Sequence, residues 1–151
     1  MEVTVVKFKF LTALVCGALL LTSSPGFAAV DGGKIALGGI FPGMSEAALI
    51  DAFGQPVYRD GDDRTYSTFK VEIERGVVEK VSTTSETLVT PEGVRVGLAA
   101  EVLNTSYGKA DKVDRERDGD EYEYFSTDGT KKIEFKVVNG VIAKITCSLR
   151  D

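Results

Sequence analysis

Histidine and tryptophan are absent from the 151 residues, and cysteine occurs only twice. Without histidine the chain lacks the commonest general base at neutral pH and the commonest transition-metal ligand. Ser-His and Cys-His nucleophilic systems are therefore excluded. Gly32-Gly33 and Gly38-Gly39 lack the lysine or helix context of a phosphate-cradling loop. The apolar run at 10–21 is shorter than the ~20 residues that a membrane-spanning helix needs.

That run instead has the dimensions of a signal-peptide core. Lys7 and Lys9 precede it, Thr22-Ser23-Ser24-Pro25 follows, and Gly26-Phe27-Ala28 offers the small residues of a cleavage site. Residues 1–28 thus read as a signal peptide, cleaved after Ala28. Cys16 is not a lipid-attachment site, because Ala13-Leu14-Val15 lacks the small residue wanted beside it and the apolar run continues past it. The location expected is extracytoplasmic, periplasmic or secreted, with no stable membrane span after cleavage.

Of 18 Lys and Arg and 23 Asp and Glu, only Lys7, Lys9 and Glu2 fall in the leader, leaving 16 and 22 and a net charge of −6. Nucleic acid is a poor partner for that balance, because phosphate binding is driven by concentrated Lys and Arg. Past the leader only Cys147 remains, so an intrachain disulfide is impossible. Stability has to come from packing.

The remaining chain reads as one unit written twice. With Gly43 set against Gly97, residues 34–44 fall on 88–98, Ala48-Leu49 on Val102-Leu103 and Phe53-Gly54 on Tyr107-Gly108. Later, Gly76 falls on Gly140 after an insertion in the second copy. The boundaries expected are 29–85 and 86–151, and the fold class is α+β: two tandem repeats, each a short helix packed on an antiparallel β-sheet. The first helix spans 46–53, with Ser45 as its cap, Leu49 and Phe53 on one face, and Gly54 and Pro56 ending it. The second, 99–107, has no capping side chain.

Strands are expected at 57–60, 63–68, 112–117 and 120–126, turning at Gly61-Asp62 and Asp118-Gly119. Two hairpins follow, around Gly76 and Gly140. A three-residue loop, Val138-Asn139-Gly140, gathers the apolar residues best, pairing Val137/Val141, Phe135/Ala143 and Ile133/Ile145. Its counterpart, Glu74-Arg75-Gly76, pairs Ile73/Val77 and Phe69/Val81. The opposite, wet face then carries Lys70, Glu72, Lys80, Lys132, Glu134, Lys136 and Lys144, with Val78 and Ile142 among them.

The Gly43-Met44-Ser45 opening, the helix closing on Phe53-Gly54-Gln55-Pro56, the second stretch from Gly97 to Tyr107-Gly108 and the glycine hairpins resemble the β-lactamase-inhibitor-protein-like superfamily. That group includes small outer-membrane assembly lipoproteins and tandem-repeat secreted inhibitors. The resemblance implies a non-enzymatic protein that binds other proteins or envelope components. No contact residue carries over. The lipid-attachment cysteine is missing, and each copy has one clear helix where the inhibitors carry two.

Among candidate sites, Asp114, Asp118 and Gly119 match positions one, five and six of a calcium loop. Glu116 and Phe125 stand where its third and twelfth ligands belong, so a solvated hairpin tip is expected instead. Cys147 falls on the dry face, as a buried thiol or else an intermolecular disulfide. Asn104-Thr105-Ser106 matches a glycosylation acceptor but lies within a helix. Tyr58, Tyr66, Tyr122 and Tyr124 are the candidate binding residues, placed in a groove between the repeats, since tyrosines suit recognition surfaces. The sequence therefore points to an exported, non-catalytic module recognising a protein or an envelope or extracellular polymer, with no cofactor and no metal. Two alternatives stand beside it: an envelope assembly component exposing Val78 and Ile142, and a carboxylate hydrolase with two acids facing across a cleft.

Overall fold

The computed structural model describes residues 29–151, and the signal-peptide reading of 1–28 lies outside them. Two helices, α1 (Glu46–Phe53) and α2 (Glu101–Tyr107), accompany eight strands. The strands are β1 (Tyr58–Asp60), β2 (Asp63–Thr65), β3 (Lys70–Glu74), β4 (Val77–Thr83), β5 (Lys112–Glu116), β6 (Gly119–Phe125), β7 (Lys131–Val138) and β8 (Val141–Leu149). Ser45 caps α1 as its sequence position suggests, accepting the Ala48 amide at 3.1 Å. Helix α2 starts two residues later than expected and has no side-chain cap.

All eight strands form one antiparallel sheet in the order β1-β2-β3-β4-β8-β7-β6-β5. This corrects the expectation of two tandem helix-on-sheet repeats. Strands β4 and β8 join at the centre, pairing Val81 with Cys147 and Thr83 with Ile145. Kept apart, each would present a row of unpaired amides and carbonyls at an edge; joined, they satisfy one another. The covering layer is shared as well. Val30 bridges to Ser126, Gly38 donates its amide to Val89 at 3.0 Å, and the Tyr107 hydroxyl donates to the Lys34 carbonyl at 3.4 Å. The segment before α1 thus packs against the later half of the chain.

Helices of eight and seven residues cannot roof eight strands. Loops fill the remainder, and Ile35, Leu37, Ile40, Leu88, Val94 and Val96 are buried with Leu49 of α1, Leu103 of α2 and the inward residues of the sheet.

The hairpin register also differs from expectation. Arg75-Gly76 (φ 51° and 78°) and Asn139-Gly140 (φ 51° and 77°) are two-residue turns with both residues left-handed, the backbone that matches strand twist. Pairing then shifts by one residue, leaving Glu79 and Ala143 unpaired between Val78 and Lys80 and between Ile142 and Lys144. A bulge reverses which face the following residues present. Val78 and Ile142 consequently turn inward and are fully buried. Their backbones pair with Met44 and Leu98 at 2.7 and 2.9 Å. The exposed apolar patch proposed at Val78 and Ile142 does not exist.

The turn between β6 and β7 makes a pH prediction. Asp128 accepts hydrogen bonds from the Ser126 hydroxyl, the Thr130 hydroxyl and the Thr130 amide. These bonds hold its carboxyl down to about 2. Because the folded value is depressed, the stability it adds is complete above about pH 4, the ordinary aspartate range, and is lost as pH falls through about 2. Asp128→Asn should melt below the parent at pH 7, with the gap closing near pH 2. A gap unchanged between those pH values would remove the carboxylate from the turn's stability.

Candidate functional site

One face of the sheet packs under helices and loops, and the other carries polar side chains in rows. Strand pairing places Tyr58, Thr65, Lys70, Ser82, Thr146, Glu134, Glu123 and Lys112 side by side across all eight strands. A second row runs Asp60, Asp63, Glu72, Lys80, Ser148, Lys132 and Phe125. The seven charges assigned to a wet face by sequence do share this open face.

The four tyrosines do not share one groove. Tyr58 lies on the edge strand β1 and is exposed; β6, which carries Tyr122 and Tyr124, is six strands away, roughly 29 Å at the usual strand spacing. Tyr66 is buried, stacked on Phe69 with ring centroids 4.4 Å apart, and its hydroxyl donates to the Gly54 carbonyl at 3.0 Å. Tyr124 is 1% exposed and donates to the Gly108 carbonyl at 3.3 Å. Each of these two ties a helix C-terminus to the sheet. Tyr122 is half-buried on the helix-covered side, in a shallow depression with Leu103, Ala110 and Val113.

The acid-rich hairpin β5–β6 spends its charges on neighbouring cations. Asp118 meets Lys136 at 3.0 Å, Glu116 contacts the same ammonium, and Arg115 meets Asp120 at 3.0 Å. A hairpin tip laced with ion pairs therefore occupies the calcium-loop positions. Glu121, Glu123 and Glu134 on the open face come together instead, with one oxygen of each within 4.8 Å of the others. Burial and the neighbouring Glu134 and Glu123 carboxylates raise Glu121 above the usual glutamate range. These are the described acids grouped closely enough to hold a cation, but Lys132 lies 2.7 Å from Glu134 and Lys112 3.5 Å from Glu123. The lysines already offset two of the three charges.

Cys147 is fully buried opposite Val81 and Ile133, and burial pushes its thiol well above the ordinary range. An intermolecular disulfide would require the central strand to leave the sheet. A thiol reagent such as DTNB should find no reactive group under native conditions and one per described chain in denaturant. Rapid native labelling would contradict the burial.

Three depressions open on the polar face, and one of about 400 Å³ is lined mainly by acids, Asp60, Asp62, Asp63, Glu72, Glu74 and Glu79. Two others are of more interest. One, of about 480 Å³, is lined by Lys80, Asp118, Glu121, Glu134, Lys136, Lys144 and Thr146. The other, of about 510 Å³, lies where β2, β3 and β4 end and includes Thr65, Ser67, Thr68, Lys70, Ser82, Thr84 and Lys144. The sequence reading missed this second depression. Its signal was the run Ser82-Thr83-Thr84-Ser85, where the hairpin stretch ending at Thr83 meets the polar link expected at 84–87.

No family model matches the chain, and no curated protein does. Two solved structures are similar in fold. A DUF4309 family protein, YjgB, from Bacillus subtilis is 16% identical with a TM-score of 0.50, over 70% of this chain and 78% of that one. An extracellular protein containing an SCP domain, from Bacillus anthracis, is 8% identical with a TM-score of 0.53, over 72% of this chain and 44% of that one. This chain therefore spans less than half of the second protein. The likeness supports a sheet-rich fold and does not name the β-lactamase-inhibitor-protein-like superfamily. Among the described residues no helix is long and apolar enough to cross a membrane.

Proposed function

We propose that the protein is an exported, non-catalytic binding module whose working surface is the open face of the sheet. The observation that carries this reading is the continuous polar face, spanning eight strands, with three depressions of several hundred cubic ångströms on it. A one-layer antiparallel sheet covered on one side leaves such a face for a partner or for water. The extracellular neighbour is compatible with export, and the leader-like residues 1–28 support it. The resemblance to the inhibitor-like superfamily favours a protein or envelope component as partner. The covered-side tyrosines drop out of this reading, and Tyr58 stays as an open-face residue.

The hydrolase alternative needs two acids facing across a cleft. The closest group of acids offers a poor match: Glu121 and Glu123 stand two apart on β6 and Glu134 lies across from Glu123 on β7, so the three share one surface. The decisive experiment is capture from an envelope extract with the parent and two charge variants. Lys80→Glu/Lys132→Glu should abolish capture of partners, whereas Arg75→Glu/Glu101→Lys, away from the open face, should not. Equal capture by all three proteins would remove the open face as the working surface.

A further inference from the structure

The depression at the β2–β4 end differs from the rest of the molecule in its charge. None of its eleven lining residues is acidic, in a chain with 23 Asp and Glu. Its only charged groups are Lys70 and Lys144, both exposed and both without an ion-pair partner or hydrogen bond among the described residues. On the same face, Lys80, Lys112, Lys132 and Lys136 are each paired with a carboxylate. Pairing is the rule for the lysines of this face, and these two ammonium groups are the exceptions.

Most of the hydroxyls around them are also uncommitted. Thr83 spends its hydroxyl on the Thr68 carbonyl at 2.6 Å, and Ser85 shares its own with Thr87 at 2.9 Å. Those of Thr65, Ser67, Thr68, Ser82 and Thr84 bond to no protein group among the described residues. Each can donate and accept. Five such groups beside two free cations match a ligand that is itself rich in hydroxyls and carries negative charge. Lysine ammonium serves a carboxylate as a compact point charge without demanding bidentate geometry.

We infer that this depression binds an acidic saccharide, with Lys70 and Lys144 meeting carboxylates and the free hydroxyls meeting sugar hydroxyls. The inference rests on the binding-module reading and names the ligand class for one part of its surface. An acidic peptide would also satisfy the lysines, but it offers one amide and one carbonyl per residue to the hydroxyls, where each sugar unit presents several groups that both donate and accept.

The test titrates the isotope-labelled protein with three probes of similar length: an oligogalacturonate, a neutral maltooligosaccharide and an oligoglutamate. Oligogalacturonate should shift amides in 65–70 and 82–85, with affinity falling as salt rises. Lys70→Gln/Lys144→Gln should weaken it at least tenfold, Ser82→Ala/Thr84→Ala severalfold, and Arg75→Gln, in the exposed β3–β4 turn away from the open face, little. The amide spectrum of each variant verifies its fold. Absence of binding at millimolar oligogalacturonate, equal binding of the neutral sugar, or equal binding of oligoglutamate overturns the inference. If saccharide binding fails while envelope capture still depends on the open face, the ligand class falls and the binding-module reading stands. If both fail, both fall.

Discussion

Tyr124→Ala is expected to cost about 3–5 kcal/mol of stability, the usual range for deleting a buried aromatic, and Tyr122→Ala far less. The two residues sit two apart on one strand and face the same way, yet they differ in what surrounds them. Tyr124 is enclosed, with its ring 5.3 Å from Tyr107 and 6.0 Å from Phe135. Its hydroxyl donates to the carbonyl of Gly108, the residue that ends α2. Truncation empties that volume and removes the helix's tie to the sheet. For a domain of this size the loss corresponds to roughly 10–20 °C in Tm. Tyr124→Phe keeps the ring and should lose only about 1 kcal/mol. Melting curves followed by circular dichroism separate the three variants. A Tyr124→Ala loss below about 1 kcal/mol would mean that the aromatic cluster around Phe135 is not packed as described. A paired Tyr122/Tyr124 truncation, attractive from sequence as a binding test, would report unfolding.

The difference between these tyrosines shows what was legible in the chain. Alternation places Tyr122 and Tyr124 on one face of a strand, but a face is only half of the answer. Which side is covered depends on α2 and on the segment before α1, which Lys34 ties to Tyr107 across 73 residues of chain. Local signals did better where the physics is local. Ser45 and Gly54 mark the ends of α1 because a side-chain cap and a left-handed stop act within one turn.

Register failed for an identifiable reason. A two-residue turn followed by a bulge within the second strand, and a three-residue loop whose glycine takes up the bulge, both bring most apolar residues to one side. Only the bulge within the strand also turns Val78 and Ile142 inward, and no local preference marks Glu79 or Ala143 as the extra residue. The central β4–β8 pairing was invisible because it joins two strands more than 60 residues apart and leaves no periodicity of its own. The candidate site was half legible. Lys70 and Lys144 were assigned to the correct face, but their lack of partners follows from which carboxylates the folded sheet places beside the other lysines.

Gly119→Ala is the second large effect, expected at about 2–4 kcal/mol from backbone strain and overpacking together. Gly119 opens β6 at φ 142°, and an added Cβ would fall 2.4 Å from the Val137 carbonyl oxygen and 3.1 Å from Val138 Cγ2. The oxygen belongs to the backbone of β7 beside its register shift, so it cannot move aside as a side-chain tip could. Gly61, in the turn between β1 and β2, has φ 54° and open space around its Cα. Alanine there meets strain without a clash and should cost about 1 kcal/mol. The contrast matters for the open face, because the β5–β6 hairpin holds Glu116 and Asp118 against Lys136. If the hairpin lifts from β7, those contacts are released first, and amide exchange should quicken in β5 and β6 while β3 and β4 stay protected. Uniformly faster exchange would show instead that the sheet opens as a single cooperative unit. Equal losses for Gly119→Ala and Gly61→Ala would show that the hairpin does not close against Val137. The lysine pairing that singles out Lys70 and Lys144 would then have to be drawn afresh.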